Sequence, residues 1–413
     1  MKLLYDIAVF FYHFFIRVMA PFHPKARLFV RGRRGWQGKL KEKRDPDSSW
    51  IWFHCASLGE FEQGRPVIEA IGRARPGYKI AITFFSPSGY EIRKNYSQAA
   101  FVGYLPEDTP RNAAMFLDTL QPAIAFFVKY EFWYHYIDGL KNRNIPLFLV
   151  SGIFRKEQLF FSRMPWGGWF RDLLKAFTRH FVQDENSAAL LNSIGIDDVT
   201  ISGDTRFDRV ASIAESSQPV PVVEKFCEGK PVLIAGSTWK PDEELLVPFI
   251  NSREGWKFIL VPHEVSLGNI NRLVHMLKNP PLLMSRAAET DVTRYQVLII
   301  DSVGLLSSLY KYGTYAYIGG GFGVGIHNIL EAATFGLPVF FGPNYHKFRE
   351  AVQLIGLGAA FTVSDTESFT EQLLKLLNNR ELYEQASLSA SAYVKNNRGA
   401  TETILKTVFS FQA

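Results

Sequence analysis

The chain has 413 residues, 47% of them hydrophobic, which supplies core for two domains of ordinary size and excludes a chain disordered along its length. Its two cysteines, Cys55 and Cys227, are too few for a disulfide framework and lack metal-site spacing, so both read as buried thiols of a reducing compartment. The formal net charge is +6, but the basicity is local: residues 25–44 hold nine Lys and Arg against one acid, Glu42.

The first expected element is residues 3–20, LLYDIAVFFYHFFIRVMA. At about 100° per residue, Lys2, His13 and Arg17 all fall within roughly 40° of Asp6, so the polar groups share one stripe. That pattern predicts a helix lying in a membrane interface, with Leu3, Phe10, Phe11, Phe14 and Phe15 available to the acyl boundary. A true span and a plain core helix are the alternatives. A signal peptide is disfavoured by the poor cleavage site at Pro21-Phe22-His23. The basic stretch beside this helix suits anionic headgroups. No aromatic-basic interleaving follows it, so a nucleic-acid arm is the weaker reading and no nucleic-acid partner is expected.

Apolar runs at residues 50–53, 80–84, 124–127, 147–150 and 180–182 then alternate with helical patterns, which predicts a parallel, doubly wound sheet. The Ser- and Pro-rich stretch 215–231 reads as a linker. The rhythm restarts with strand candidates at 232–235, 257–261, 297–300, 315–318 and 339–341. The expected architecture is α/β: two tandem Rossmann-like doubly wound domains, at 45–214 and 232–395, behind an amphipathic membrane anchor and basic segment at 1–44. A C-terminal helical segment, 396–413, packs back. Strand C-termini of both domains are expected to face one ligand cleft.

Chemistry-bearing residues gather where these strands end. After the first strand, His54-x-x-Ser57-x-Gly59-Glu60 places an acid at a helix N-terminus, where the macrodipole favours the carboxylate. Glu60 is then either a proton acceptor or a capping acid. Lys129, Glu131, Arg155 and Arg206 follow later strands, and the two arginines offer forked donors to a carboxylate or phosphate. In the second domain Gly236-Ser237-Thr238 opens a strand-to-helix turn, and His263 ends the next strand. Gly319 to Gly325, with Gly320, Gly321 and Gly323 between, leads into Asn328 and Glu331 at an expected helix start. The loop reads as a phosphate cradle or a tight turn, and Glu331 as a ribose acceptor or a first-turn acid. No register gives G-x-G-x-x-G and no Walker A is present, which removes support for dinucleotide oxidoreductases and P-loop enzymes. The Asp-x-Asp at Asp45-Pro46-Asp47 lies in a polar connector and reads as a turn rather than a metal site.

Together these residues resemble the 3-deoxy-D-manno-octulosonic acid (Kdo) transferases of lipopolysaccharide assembly. The resemblance runs from the N-terminal helix to about Phe361. Its marks are the His54 to Glu60 motif, Glu131-Phe132-Trp133, Gly203-Asp204-Thr205-Arg206-Phe207-Asp208, Gly236-Ser237-Thr238, and Gly319-Gly320 with His327-Asn328-x-Leu330-Glu331. Phe341-Gly342-Pro343 and Asn344-x-x-x-Phe348-Arg349-Glu350 complete them. The resemblance implies a GT-B type glycosyltransferase on the cytoplasmic face of the inner membrane that needs no metal or other cofactor. It implies Glu60 as catalytic base and CMP-Kdo as donor, held by Ser237, Thr238, His263, the Gly320 to Gly325 loop, Asn328 and Glu331. A lipid A precursor is the implied acceptor; Ser57, Gly59, Lys129, Glu131, Arg155 and Arg206 are expected near the acceptor or the sugar carboxylate. Three departures stand out: Trp239 where the family has His, Pro262-His263-Glu264 for Pro-Arg-His, and Gly325-Ile326-His327-Asn328-Ile329 for Gly-Gly-His-Asn-Pro. A related epimerase or lipid glycosyltransferase, or a membrane-docked nucleotide-binding protein without turnover, are the competing readings.

Overall fold

The structure, a computed structural model, describes residues 1–129, 131–162 and 164–410. The chain forms two compact units: Met1–Arg209 together with the stretch from Gly399, and Val210–Arg398. Unit 1 is built on β1 (Ser49–Cys55), β2 (Tyr78–Phe84), β3 (Phe101–Tyr104), β4 (Pro122–Val128), β5 (Leu147–Gly152), β6 (Arg179–Val182) and β7 (Val199–Ile201). All pair in parallel, in the order β3-β2-β1-β4-β5-β6-β7. Unit 2 repeats the plan with β8 (Val232–Thr238), β9 (Lys257–Pro262), β10 (Leu282–Leu283), β11 (Val297–Ile299), β12 (Tyr315–Ile318), β13 (Val339–Phe341) and β14 (Ala360–Thr362), ordered β10-β11-β9-β8-β12-β13-β14.

Strand β1 shows why apolar runs become central strands here. Trp50 and Trp52 pack into one core with Phe116 and Tyr136, while Ile51, Phe53 and Cys55 pack into another with Phe61 and Ile68. Successive side chains enter opposite layers, both covered, so the run carries no polar alternation. The direction of strand addition reverses between β1 and β4 in unit 1, and between β8 and β12 in unit 2. Crossovers diverge there and leave a crevice at the strand C-termini.

The expected linker at 215–231 is a correction. One helix, Thr205–Ser216, runs across the unit boundary, and residues 221–227 form another that buries Val223 and Phe226. Pro221 occupies the first helical position, where its missing N–H costs nothing, so a proline-rich composition did not mean a loop. The last helix, Ala400–Ser410, adds Ile404 and Val408 to the unit 1 core. The Asp208 carboxylate secures it by accepting the Gly399 and Thr401 amides, both at 2.7 Å.

Three helices precede β1: α1 (Lys2–Met19), α2 (Pro24–Gly32) and α3 (Trp36–Lys43). Helix α1 docks on unit 1 by its polar stripe. Tyr5 donates to Asp108, Asp6 pairs with His135 at 2.6 Å, and Arg17 pairs with Glu107, with His13 buried against the same seam. The apolar side faces outward: Leu3 is 72% exposed, Phe10 and Phe15 60%, and Phe22, just past the helix, 80%. Among the described residues no single helix is long and apolar enough to cross a membrane; α1 and α2 would qualify only as a pair, and they are bent by 120°.

One buried group is a stability liability. His180 on β6 is fully buried among Phe154 and Phe177, neither ring nitrogen has a hydrogen-bond partner among the described residues, and burial holds the imidazole down at about 4. The unfolded chain, at about 6.5, takes the proton first, so this contribution to stability is full above pH 6.5 and is lost as the pH falls toward 4. His180→Phe is expected to recover about 2 kcal/mol at pH 4.5 relative to the parent's own loss from pH 7. Urea unfolding at the two pH values checks this; an unchanged difference would show that His180 does not titrate across folding.

Candidate active site

The turn after β1 carries Ser57, Gly59 and Glu60 into α4 (Leu58–Ala74). Ser57 is the N-cap: its Oγ accepts the Gly59 amide at 3.2 Å, and the Glu60 carboxylate accepts the Ser57 amide at 3.1 Å as well as the Ser57 hydroxyl. Glu60 is half-buried and fills the capping role expected of it. It completes a capping box, and it stands at the C-terminal end of the strand beside the topological switch point.

Across the switch point β4 delivers Glu131, and a buried network ties it to β1. His54, fully buried, has Nδ1 2.9 Å from Thr83 Oγ1 and Nε2 3.1 Å from Glu131; Trp52 donates to Thr83 at 2.8 Å. Trp133 Nε1 lies 2.7 Å from Glu131 and 3.0 Å from His54 Nε2. The shorter contact assigns the indole N–H to the carboxylate; His54 Nε2–H then donates to the same group while Nδ1 accepts from Thr83. Glu131 is therefore locked by two donors. His54 and Trp133 were legible as motif residues, but their joining through Glu131 was not, because it links β1 to the segment after β4. Tyr130, inside that segment, lies outside the described residues.

The remaining unit 1 residues divide. Lys129 follows β4 at φ 62° and Ser151 ends β5 at φ 55°; with Ser237 at the end of β8 (φ 54°), three strand C-termini hold non-glycine residues in the left-handed region. Such strain collects at functional sites. Arg206 is engaged by Asp204, Nε to Oδ2 at 2.8 Å, and Arg155 is exposed. The Asp45 carboxylate accepts the Asp47 amide and the Ser48 hydroxyl, a turn.

In unit 2 the switch-point residues are Ser237 and Thr238 after β8 and the glycine loop after β12. Asp242, 1% exposed, fastens the two: its carboxylate accepts the Gly320 amide at 3.0 Å, the Trp239 amide at 2.8 Å and the Tyr317 hydroxyl at 2.9 Å. Burial raises its pKa, against these hydrogen bonds. Two glycines are sterically required, since a Cβ on Gly319 would lie 2.2 Å from Ser237 O, and one on Gly321 would lie 2.6 Å from Gly342. Gly320 and Gly325 have φ of 94° and 140°. Gly323 lies at the exposed tip, with its carbonyl accepting from Asn344. The expected helix beyond the loop is only Leu330–Ala333, so one turn provides little macrodipole and an anion would rest chiefly on the loop. Asn328 donates to Glu331 at 3.0 Å, and Ser307 donates to the same carboxylate at 2.7 Å.

Three rings crowd beside the loop. His263 stacks on Trp239 at 4.5 Å and on His327 at 4.4 Å, while Trp239 Nε1 donates to His327 Nε2 at 3.0 Å. Trp239, His327, Phe322, Asp242 and the loop glycines line a cavity of about 320 Å³. His327 Nε2 must be unprotonated to accept, and burial with His263 close by lowers its pKa to about 4. Asp242 was not singled out from sequence because a helix first-turn acid is commonplace.

Two parallel sheets of this order are a fold shared with solved structures. Solved neighbours include UDP-GlcNAc 2-epimerase from Neisseria meningitidis bound to UDP-GlcNAc (TM-score 0.61, 16% identity, covering 87% of this chain and all of that one). A glycosyltransferase from Rickettsia africae matches with TM-score 0.55 at 14% identity, over 87% and 98% of the two chains. The sequence profile of the 3-deoxy-D-manno-octulosonic-acid transferase (kdotransferase) family matches residues 30–209. The 3-deoxy-D-manno-octulosonic acid transferase of Rickettsia felis is 25% identical over 91% of this chain and 82% of its own length; that of Haemophilus influenzae is 23% identical over 95% and 93%. The chain is thus similar to Kdo transferases over about nine-tenths of its length, and to their family profile over residues 30–209.

The ring cluster yields a direct expectation. Trp239→Phe keeps the stack but deletes the N–H that requires an unprotonated Nε2, so the His327 titration should move up from about 4. Imidazole carbon shifts followed by NMR against pH check it; an unmoved curve would show that the indole does not hold the tautomer.

Proposed function

We propose that this chain transfers Kdo from CMP-Kdo to a lipid A precursor at an anionic membrane surface, with Glu60 as the base. The observation that carries the reading is similarity to Kdo transferases across about nine-tenths of the chain, with the motif acid at the unit 1 switch point. In the proposed reaction the Glu60 carboxylate takes the acceptor hydroxyl proton, the freed oxygen bonds to the anomeric carbon, and the bond to the CMP phosphate breaks with inversion. Unit 2 would hold the donor: loop amides with Ser237 and Thr238 on the phosphate, and Asn328 and Glu331 on the ribose. Glu331 already accepts from Asn328 and Ser307, and a carboxylate retains lone pairs for a ribose hydroxyl. His263 would contact the base or phosphate. Lys129, Arg155 and Arg206 are the cationic candidates for the sugar carboxylate or a lipid phosphate; Arg206 would share its fork with Asp204. Ser57, Gly59 and Glu131 would shape the acceptor side.

The membrane part rests on α1. Aromatic residues turned outward from a helix pinned by its polar stripe suit an interfacial anchor at the cytoplasmic face of an inner membrane.

Two experiments separate these claims. Glu60→Gln can preserve the capping box but cannot accept a proton, so it isolates the catalytic role. Turnover is expected to fall by about 10²- to 10⁴-fold with the melting temperature nearly unchanged; near-normal turnover in the folded variant would remove Glu60 as base. Phe11→Ser with Phe15→Ser leaves the docking seam intact and is expected to reduce partitioning onto vesicles by about tenfold or more. Undiminished flotation would refute the interfacial anchor.

A further inference from the structure

The bend between α1 and α2 encloses a cavity of about 550 Å³ that the proposed reaction does not use. Five arginines line it, Arg17, Arg27, Arg31, Arg33 and Arg34, against one acidic residue, Glu107. His13 adds no charge near neutral pH, since burial lowers its pKa to about 4.

The five are not equivalent. Arg17 is paired with Glu107, and Arg27 donates to the Pro21 carbonyl at 2.7 Å. Arg33 is the fixed floor. It is 8% exposed and donates to the carbonyls of Leu105 at 2.9 Å, Phe29 at 3.2 Å and Phe85 at 2.8 Å, with its guanidinium 3.5 Å from the Phe29 ring centroid. Carbonyls and rings hold it in place, Glu107 acts on it only at a distance, and among the described residues it has no ion-pair partner. Arg31 and Arg34 are exposed, and no described carboxylate pairs with either. Like charges gathered around one cavity are unfavourable until an anion enters, and planar forks fit a phosphate.

The apolar surroundings narrow the choice of anion. Phe15, Val18, Met19 and Phe22 stand exposed along α1 and at the bend, and Leu28 is exposed on α2. A free phosphate would leave them in water, whereas a lipid phosphate brings acyl chains to cover them. No residue from the Glu60 turn or the His54–Glu131 network lines the cavity.

We propose that this cavity is a seat for the phosphodiester headgroup of an anionic membrane phospholipid, separate from the acceptor site. The proposal deepens, and rests on, the membrane partner proposed above. It replaces diffuse attraction along the basic segment with one stereospecific contact on Arg31 and Arg34 over the Arg33 floor.

The test removes equal charge from inside and outside the cavity. Arg31→Gln/Arg34→Gln and Lys25→Gln/Lys39→Gln change exposed side chains only, so both variants should fold. Each is floated with phosphatidylcholine vesicles with and without phosphatidylglycerol. The expected result is that the arginine pair loses phosphatidylglycerol-dependent binding by about tenfold more than the lysine pair, and that short-chain phosphatidylglycerol, but not inorganic phosphate, competes. Equal losses would mean diffuse attraction and overturn the proposal, as would equal competition by inorganic phosphate. Kdo transfer to detergent-dispersed acceptor is the separating readout. It should be unchanged in the arginine pair; a matching loss there would assign the cavity to the acceptor and overturn the proposal. Absence of transfer in the parent protein would fault the reaction while leaving the vesicle result standing.

Discussion

The constraint on which the rest depends is the reversal of strand order beside the first strand of each sheet. A parallel strand needs a crossover, and where successive crossovers leave in opposite directions no helix covers the strand ends. In unit 1 the gap lies between β1 and β4, and the turns there carry Glu60 and Glu131. In unit 2 it lies between β8 and β12, and the turns carry Ser237 and the glycine loop. Each gap is reinforced by a buried polar group that binds both flanking strands: the His54–Glu131–Trp133 network in one unit, Asp242 in the other. Left unpaired in so buried a place, any of these groups would cost about 1–3 kcal/mol, so their partners hold the turns in register as firmly as packing does.

A second constraint acts on the N-terminal helix. An amphipathic helix on a water-soluble domain usually buries its apolar face; α1 does the reverse, using Tyr5, Asp6, His13 and Arg17 as its attachment. Burial raises the pKa of Asp108 within this seam and lowers that of His13. The contacts are thus polar bonds in partly dry surroundings, stronger than the same pairs in water. They orient a row of aromatic side chains away from the protein, an arrangement that gains free energy only where that row finds an apolar medium.

The ten strands expected from apolar runs are all present, because central parallel strands are covered on both faces and advertise themselves. Strands β3, β7, β10 and β14 were not legible. They are short and lie at or next to sheet edges, where Phe101-Val102-Gly103-Tyr104 or Val199-Thr200-Ile201 needs no continuous apolar run. The supposed linker failed for the opposite reason: Pro221 resembles a breaker in composition yet begins a helix. Among the site residues, Ser57, Glu60 and the glycine loop could be placed from local turn chemistry. The pairing of Arg206 with Asp204, the fastening by Asp242 and the Trp239–His263–His327 stack could not, since the latter two join segments tens of residues apart and Arg206 looks equally available whether or not a neighbour holds it.

The central claim is that this chain adds Kdo to a lipid. The most direct test incubates the purified full chain with CMP-Kdo and a tetraacyl disaccharide bisphosphate in vesicles, with chelator present, and weighs the lipid by mass spectrometry. The account predicts a gain of one Kdo unit or a whole-number multiple, with an equal amount of CMP released. Lipid of unchanged mass, in a preparation that binds vesicles and CMP, would contradict it.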